Sequence, residues 1–294
     1  MSTDHCDVST ALGGAPHFAA RTLALADRVT KHIALNPELG FVLGLSLVLP
    51  LLRWVLELAF YKPVATRVLR GTKQRERVTK MCESFWKMTA YGSMLALEVA
   101  ITHREPWFWR PKDYWVGWPN QPELPLMRLL FFSQLAYYLS TTFTLALWEV
   151  PRSDYWVMQT HHCCTVVLIY YNYISGYQRW GCLIMMLHDI NDVIMEVAKC
   201  LNYAEQHAAA NATFGLFVVA WAVLRLTAFP AVLIRSTLLD SVRVLGYTPP
   251  HHGLLNALLC VLYCFHVYWF GLILQVAYMA LLKGRGEDIR EKED

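Results

Sequence analysis

Two stretches of the 294-residue chain carry histidines and acids within otherwise apolar sequence. The first contains the neighbouring residues His161 and His162, and the second contains the run His188-Asp189-x-x-Asp192. An unprotonated imidazole can act as a nucleophile, and a carboxylate can orient the ring or accept a proton from an attacking group. Adjacent residues point about 100° apart on a helix, so at most one histidine of the first pair faces a given reacting atom. The pattern indicates nucleophilic and acid–base chemistry.

The second stretch continues as a stripe of charged residues. Asp189, Asp192, Glu196 and Lys199 are spaced i, i+3, i+7 and i+10, which places them on one helical face. A charge at the centre of a membrane helix costs about 2.5–3.5 kcal/mol or more, so such residues usually serve a function. A purely structural network, such as a Glu196–Lys199 ion pair, is the alternative. Arg225, in a later apolar segment, is a further candidate for the same interior.

The two stretches are expected to pack against each other as an antiparallel hairpin. A short turn near residues 176–179 separates them. His161 and Asp192 lie at nearly equal distances along the chain from this turn. At about 1.5 Å per helical residue, they reach a similar depth and could face each other.

The composition indicates a membrane protein. Hydrophobic residues make up 55% of the chain and charged residues 17%, against about 25% in soluble domains. The net charge of +3 is too small to indicate nucleic-acid binding. Seven segments are long and apolar enough to cross a hydrocarbon core, which needs roughly 20 helical residues; they lie near 40–60, 84–101, 126–148, 155–175, 180–203, 212–234 and 253–282. We therefore predict an all-α polytopic membrane protein.

The distribution of charge predicts the orientation of the chain. The segment 61–81 is expected to be a cytosolic loop because it holds seven lysines and arginines against one acid. Seven spans then place the N-terminus in the lumen and the C-terminus in the cytosol. The Trp- and Pro-rich segment 102–125 is expected at the opposite interface. No signal-peptide pattern occurs in residues 1–38, so the first span is expected to remain in the protein.

Several polar and thiol side chains have simpler interpretations. Arg53 and Glu57 have the i, i+4 spacing of a helical ion pair. His266 is expected to be a hydrogen-bonded core residue. The eight cysteines form no CxxC motif and no Cys/His zinc spacing, and they are expected to be free thiols.

The polar motifs together resemble the signature of the ceramide synthases, the longevity-assurance branch of the TLC-domain membrane proteins. The resemblance covers roughly residues 75–282 and rests on Arg152-x-Asp154-Tyr155, His161-His162, Arg179-x-Gly181, His188-Asp189-x-x-Asp192 and Glu196-x-x-Lys199. It implies an N-terminal lumenal segment (1–38), a first span with its basic loop (39–74), a six-span TLC domain around an intramembrane cavity (75–282) and an acidic cytosolic tail (283–294). Asn191 departs from the Ser of many members, and the homeobox-like insert of many animal members is absent.

The resemblance also implies an activity and roles for residues. Ceramide synthases join a fatty acyl group from acyl-CoA to the amino group of a sphingoid base in the endoplasmic reticulum membrane. By this resemblance His161 carries the acyl group, Asp192 is the base, and His162, His188 and Asp189 complete the catalytic set. Candidate substrate-binding residues are Glu196, Lys199, Arg179 and Arg225. We expect no metal and no cofactor, with fatty acyl-CoA as co-substrate and with sphingoid base and membrane lipids as partners; homodimers or heterodimers are left open.

Three other functions fit parts of the sequence. A TLC relative that only binds or senses lipid would keep the spans but would not need both histidines and the acids. A di-iron lipid hydroxylase would need HxxxH and HxxHH boxes, which the chain lacks. A transporter could use the buried acids as a proton relay, and release of CoA that depends on substrate would exclude it.

Overall fold

The computed structural model describes residues 37–69, 74–122, 124–149 and 152–283, and its regular elements are helical. The α-helices are α1 (Pro37–Leu56), α2 (Lys62–Val68), α3 (Gln74–Thr102), α4 (Pro125–Leu147), α5 (Tyr155–Ile174), α6 (Gln178–Tyr203), α7 (His207–Ala220), α8 (Ser241–Leu245) and α9 (His252–Lys283). Segments of π-helix continue α1 into α2 (Glu57–Tyr61) and α7 into α8 (Trp221–Ile234 and Ser236–Asp240). Two short 3-10 turns, Pro106–Trp109 and Pro111–Tyr114, lie between α3 and α4.

Helices coincide with all seven predicted spans. Among the described residues, three continuous helical stretches are long and apolar enough to cross a membrane: Pro37–Val68, His207–Leu245 and His252–Ala280. The other four predicted spans correspond to α3, α4, α5 and α6, which hold most of the polar residues and therefore have lower hydropathy. The all-helical membrane fold agrees with the sequence, while the count of seven spans stays a prediction.

The distribution of side chains is the reverse of that in a soluble protein. Large apolar residues cover the outside, with Leu47 75% exposed and Leu147 86% exposed. Charged residues such as Arg53, Glu98 and Asp189 are buried. Soluble proteins almost never bury charges unless these are paired, whereas a membrane protein turns them away from lipid. The bundle interior is therefore where polar chemistry can occur.

The predicted basic loop 61–81 is mostly helical, and this part of the prediction is wrong. α2 and the start of α3 occupy most of it, because its lysines, arginines and glutamate favour helix and Glu76 pairs with Lys80. The Arg53–Glu57 pair is also not formed. Glu57 begins a π-helical turn and binds Lys62, five residues on, in keeping with the i to i+5 spacing of that turn.

Arg53 instead joins a buried network of ionic residues. Its guanidinium lies 3.9 Å from Glu149, and Lys87 Nζ contacts Glu149 at 2.7 Å and Glu83 at 2.8 Å. Arg152 also contacts Glu83, at 2.8 Å. The network ties α1 and α3 to the connection between α4 and α5.

A second contact between helix ends joins Arg77 of α3 to Glu205, which follows α6. Alternating spans would bring these ends to the same side of the membrane, so the contact agrees with the predicted order of the spans. The predicted positions of the N-terminus and of the acidic tail lie outside the described residues.

The Trp-rich segment 102–125 packs against the bundle. Trp107, Trp115 and Trp118 are buried, while Trp109 remains exposed as an interfacial residue would be. The indole of Trp118 donates to the backbone oxygen of Ser175 at 3.0 Å. The indole of Trp115 likewise donates to a hydroxyl beyond α7. The segment therefore covers the α5–α6 turn.

Candidate active site

The helical hairpin that carries the histidines and acids forms as predicted. α5 ends at Ile174 and α6 begins at Gln178. Between them Gly176 adopts a φ of +74°, a left-handed conformation that glycine takes without the Cβ clash of other residues. The tight turn makes the two helices antiparallel, and both contribute to one cavity, His161 from α5 and His188 and Asp189 from α6.

A cavity lies between α4, α5, α6 and α9. His161, His188 and Asp189 line it, whereas His162 and Asp192 are not part of its wall. Its volume of about 40 Å³ would hold only a few water molecules, so a larger molecule has to displace side chains when it enters. The remaining lining residues are mostly apolar or aromatic: Phe131, Gln134, Tyr138, Thr165, Leu168, Ile169, Asn172, Gly181, Ile184, Met185, Leu259 and Leu262.

His161 is the histidine of the pair that faces this cavity. Its ring lies edge-on to Trp269, with centroids 5.1 Å apart, and to Phe265 at 6.1 Å. Its Nδ1 atom has no hydrogen-bond partner among the described residues. His162 lies about 100° further round the helix, against the ring of Tyr138. His161 is thus an imidazole with an unengaged nitrogen in an aromatic wall.

His188, by contrast, has both ring nitrogens engaged. Its Nδ1 lies 2.7 Å from the backbone oxygen of Ile184, and its Nε2 lies 2.8 Å from Nε2 of His266. The carbonyl can only accept, so Nδ1 of His188 carries the hydrogen. When His188 is neutral, its Nε2 accepts from His266. His188 is therefore a poor nucleophile, and His266 is the hydrogen-bonded core residue that the sequence predicts.

Asp189 is the acid that lines the cavity. Its Oδ2 accepts a hydrogen bond of 2.8 Å from Nε2 of Gln134 on α4. The same nitrogen lies 3.4 Å from Oε1 of Glu98 on α3. Two carboxyl groups therefore lie within reach of one amide in the bundle interior.

Asp192 faces a different neighbour. Its Oδ1 lies 2.6 Å from Nη2 of Arg225, which also donates to the backbone oxygen of His188 at 3.0 Å. The guanidinium lies over the ring of Trp221, 4.2 Å from its centroid. Arg225 thus reaches the interior as expected, although it binds Asp192 and does not line the cavity.

The other predicted substrate-binding residues lie far from the cavity centre along α6. Arg179 and Lys199 are each ten residues from Asp189, or about 15 Å in opposite directions. Arg179 lies over Trp107 and donates to the backbone oxygen of Asp113. Lys199 forms the expected pair with Glu196 at 2.9 Å. The stripe therefore divides into separate local interactions.

Sequence reasoning did not assign Glu98, Gln134 or Trp269 to the site. Glu98 and Gln134 are polar residues within apolar segments, and this signal was available for both. Trp269 is one of many aromatic residues, and nothing in its sequence context marks it. Its indole bonds Asp154 at 3.0 Å, which ties α9 to the start of α5 beside His161.

Comparison with known proteins identifies the family. The model of the TLC domain matches residues 80–275. ASC1-like protein 3 of Oryza sativa subsp. japonica is 34% identical over 82% of this chain and 90% of its own length. Ceramide synthase LOH2 of Arabidopsis thaliana is 36% identical over 77% and 78%, and ceramide synthase 5 of Mus musculus is 35% identical over 74% and 52%. The chain belongs to the TLC-domain family, in the group that contains the ceramide synthases.

Proposed function

We propose that this protein is a ceramide synthase that works through an acylated His161. It transfers a fatty acyl group from acyl-CoA to the amino group of a sphingoid base, as the names of its relatives imply. The observation that carries the mechanism is the unengaged imidazole of His161 in the wall of the cavity. His188 has no free ring nitrogen, and His162 points elsewhere, so His161 is the best-suited nucleophile.

The first step forms the acyl-enzyme. The lone pair of an unprotonated His161 nitrogen attacks the thioester carbonyl, a C–N bond forms, and the C–S bond breaks with its electron pair on sulfur. The proton lost from the other ring nitrogen is available to the departing thiolate, so CoA leaves as a thiol. The rings of Trp269 and Phe265 pack against His161, and this apolar contact would limit the access of water, which hydrolyses an acyl-imidazole.

The second step transfers the acyl group to the amine. A substrate ammonium must first give one proton to a carboxylate, which frees the lone pair that attacks the acyl carbon. The C–N bond to His161 then breaks with its electron pair on the ring nitrogen, and the proton that the new amide nitrogen loses goes to that imidazole, which becomes neutral again. Sequence reasoning favours Asp192 for the role of the carboxylate. The geometry favours Asp189, because it lines the cavity with His161 whereas Asp192 is paired with Arg225. In this scheme Asp192 and Arg225 hold α6 and the π-helical stretch Trp221–Ile234 together behind the reacting atoms.

We further propose a location in the endoplasmic reticulum membrane, with the N-terminus lumenal and the C-terminus cytosolic. The excess of lysine and arginine in residues 61–81 supports this orientation. Acyl-CoA would then approach from the same basic side. A tag at the N-terminus should be protected from a protease added to sealed microsomes, and a tag after Asp294 should be digested. Digestion of both would contradict the orientation.

The test of the activity uses the purified full chain with mixed acyl-CoAs and sphinganine. Mass spectrometry should detect N-acylated sphinganine together with an equal amount of free CoA. His161→Ala should abolish both products. The matched control is His103→Ala, which changes an exposed histidine at the end of α3 and should retain activity. Binding of sphinganine and acyl-CoA without any ceramide product would instead indicate a lipid-binding relative.

A further inference from the structure

Three helices contribute to a cluster of polar side chains beside the cavity. The proposed mechanism uses only one member of this cluster, Asp189. Glu98 comes from α3, Gln134 from α4 and Asp189 from α6. They are 0%, 1% and 1% exposed, respectively. Gln134 and Asp189 line the cavity, and Glu98 lies behind them. An uncompensated acid at such a position is costly, so this arrangement requires an explanation.

The hydrogen bonds fix the orientation of the Gln134 amide. Its nitrogen donates to Asp189 at 2.8 Å and approaches Glu98 at 3.4 Å, so both carboxyl groups attract the NH₂ end. The carbonyl oxygen must then point away from them. This Oε1 atom is buried and has no hydrogen-bond partner among the described residues. The two N–H groups of the Gln134 amide thus face carboxyl groups, while its carbonyl oxygen still needs a hydrogen-bond donor.

The charge of the cluster complements a cation. Two neighbouring carboxylates in a low-dielectric interior do not both stay ionised, so the pair holds one proton and one negative charge. Arg225, a cationic residue packed against the same helix as Asp189, is bound to Asp192. The cluster therefore offers one negative charge and several acceptor oxygens. A primary ammonium group, with one positive charge and three N–H donors, matches both.

We infer that Glu98, Gln134 and Asp189 form the binding site for the ammonium group of a long-chain primary amine. This inference rests on the proposed function and adds the position of the second substrate. Asp189 and Gln134 contact the ammonium; Asp189 takes one of its protons, which frees the lone pair that attacks, and the second proton goes to the departing imidazole of His161. Glu98 is a positioning residue: it shares the negative charge and keeps the Gln134 carbonyl oxygen turned toward the amine. The site lies on the same cavity wall as His161 and His188.

The test compares wild type with Glu98→Gln, which keeps size and shape but removes a carboxyl group. We expect KM for sphinganine to rise about tenfold, equivalent to about 1.4 kcal/mol of binding free energy. The KM for acyl-CoA should stay at the wild-type value. The yield of acylated His161 from acyl-CoA alone should also stay unchanged. Glu57→Gln is the matched control, because it makes the same chemical change in a residue that pairs with Lys62 far from the cavity.

A second measurement separates recognition of the ammonium from a general structural effect. It compares the binding of sphinganine with the binding of an analogue that carries a hydroxyl in place of the amino group. Wild type should bind sphinganine more tightly than this analogue, and the preference should shrink about tenfold in Glu98→Gln. Gln134→Met should reduce the preference as well, and it serves if Glu98→Gln does not fold. An unchanged preference in the folded variants would overturn the inference.

The outcome can be distinguished from failure of the proposed function. Equilibrium binding of sphinganine and of its hydroxyl analogue needs no turnover. If wild type makes no ceramide but still prefers the amine in a manner that depends on Glu98, the proposed function fails and the ammonium site stands. If ceramide forms normally while Glu98→Gln leaves the preference intact, the ammonium site fails alone.

Discussion

The buried pair of Asp192 and Arg225 gives a prediction that separates catalysis from stability. Asp192→Asn should lower the free energy of unfolding, because it leaves the Arg225 guanidinium in the interior without its carboxylate. Arg225→Gln should lower it further, because it also removes the contact with Trp221. The double variant should recover part of the loss, because neither charge is then left alone.

The magnitudes follow from the geometry. The side chains are 15% exposed for Asp192 and 5% for Arg225, and their charged atoms are 2.6 Å apart. Removing one partner of a buried pair costs about 3–5 kcal/mol, and the partial exposure of Asp192 places Asp192→Asn near the lower value. The lost cation–π contact adds about 1 kcal/mol to Arg225→Gln. We expect a coupling energy of about 2–3 kcal/mol between the two sites.

The assay is reversible unfolding of the purified variants in mixed detergent micelles, with activity measured on the folded fraction. The exposed Arg77–Glu205 pair is the control cycle, and its coupling should be much smaller than that of the buried pair, because solvent screens it. A coupling of Asp192 with Arg225 near zero would refute the reasoning. Activity restored in the double variant would assign Asp192 a structural role, whereas folded but inactive protein would support its role as the base.

Two further predictions concern Gly181 in the cavity wall and the Arg77–Glu205 pair between helix ends. Gly181→Ala should shift the products toward shorter acyl chains, because the new Cβ would lie 2.6 Å from Oδ1 of Asn172 and 2.9 Å from Phe131, which line the cavity with it. An unchanged product spectrum from mixed acyl-CoAs would show that the acyl chain does not occupy this part of the cavity. Arg77 lowers the pKa of Glu205 through a hydrogen bond and its charge. The stabilisation from this pair should therefore be present at neutral pH and disappear as the pH falls through the lowered pKa of Glu205. The difference in unfolding midpoint between wild type and Arg77→Gln should narrow when it is measured from pH 7 to pH 3. A difference that stays constant over this range would contradict the assignment.

The parts of the fold that follow from local pattern could be predicted from the sequence. The α5–α6 hairpin follows from two long apolar segments around a glycine turn, and the Glu196–Lys199 pair follows from spacing on one helix. The extent of the helices at the membrane surface could not be predicted by the same rules. Charged residues after Tyr61 suggested a loop, but they also favour helix.

The sequence does not determine which side chains from different helices share the site. The number of residues between the α5–α6 turn and each side chain gives the depth of His161 and Asp192 in the bundle. It does not give the rotation of each helix about its axis. Rotation decides that Asp189 lines the cavity while Asp192 meets Arg225. Glu98 and Gln134 come from helices that are distant in sequence, and no spacing rule connects them to α6. Residue types therefore indicated the chemistry, and packing selected which residues share one cavity.

The most direct test of the central claim is the intact mass of the protein after incubation with acyl-CoA alone. Because His161 should accept the acyl group before the amine binds, the protein should become heavier by one acyl group and release one equivalent of CoA. Peptide mapping should locate the adduct at His161, and added sphinganine should discharge it as ceramide. An unmodified mass under conditions that support full turnover, together with CoA release only when both substrates are present, would contradict the covalent route.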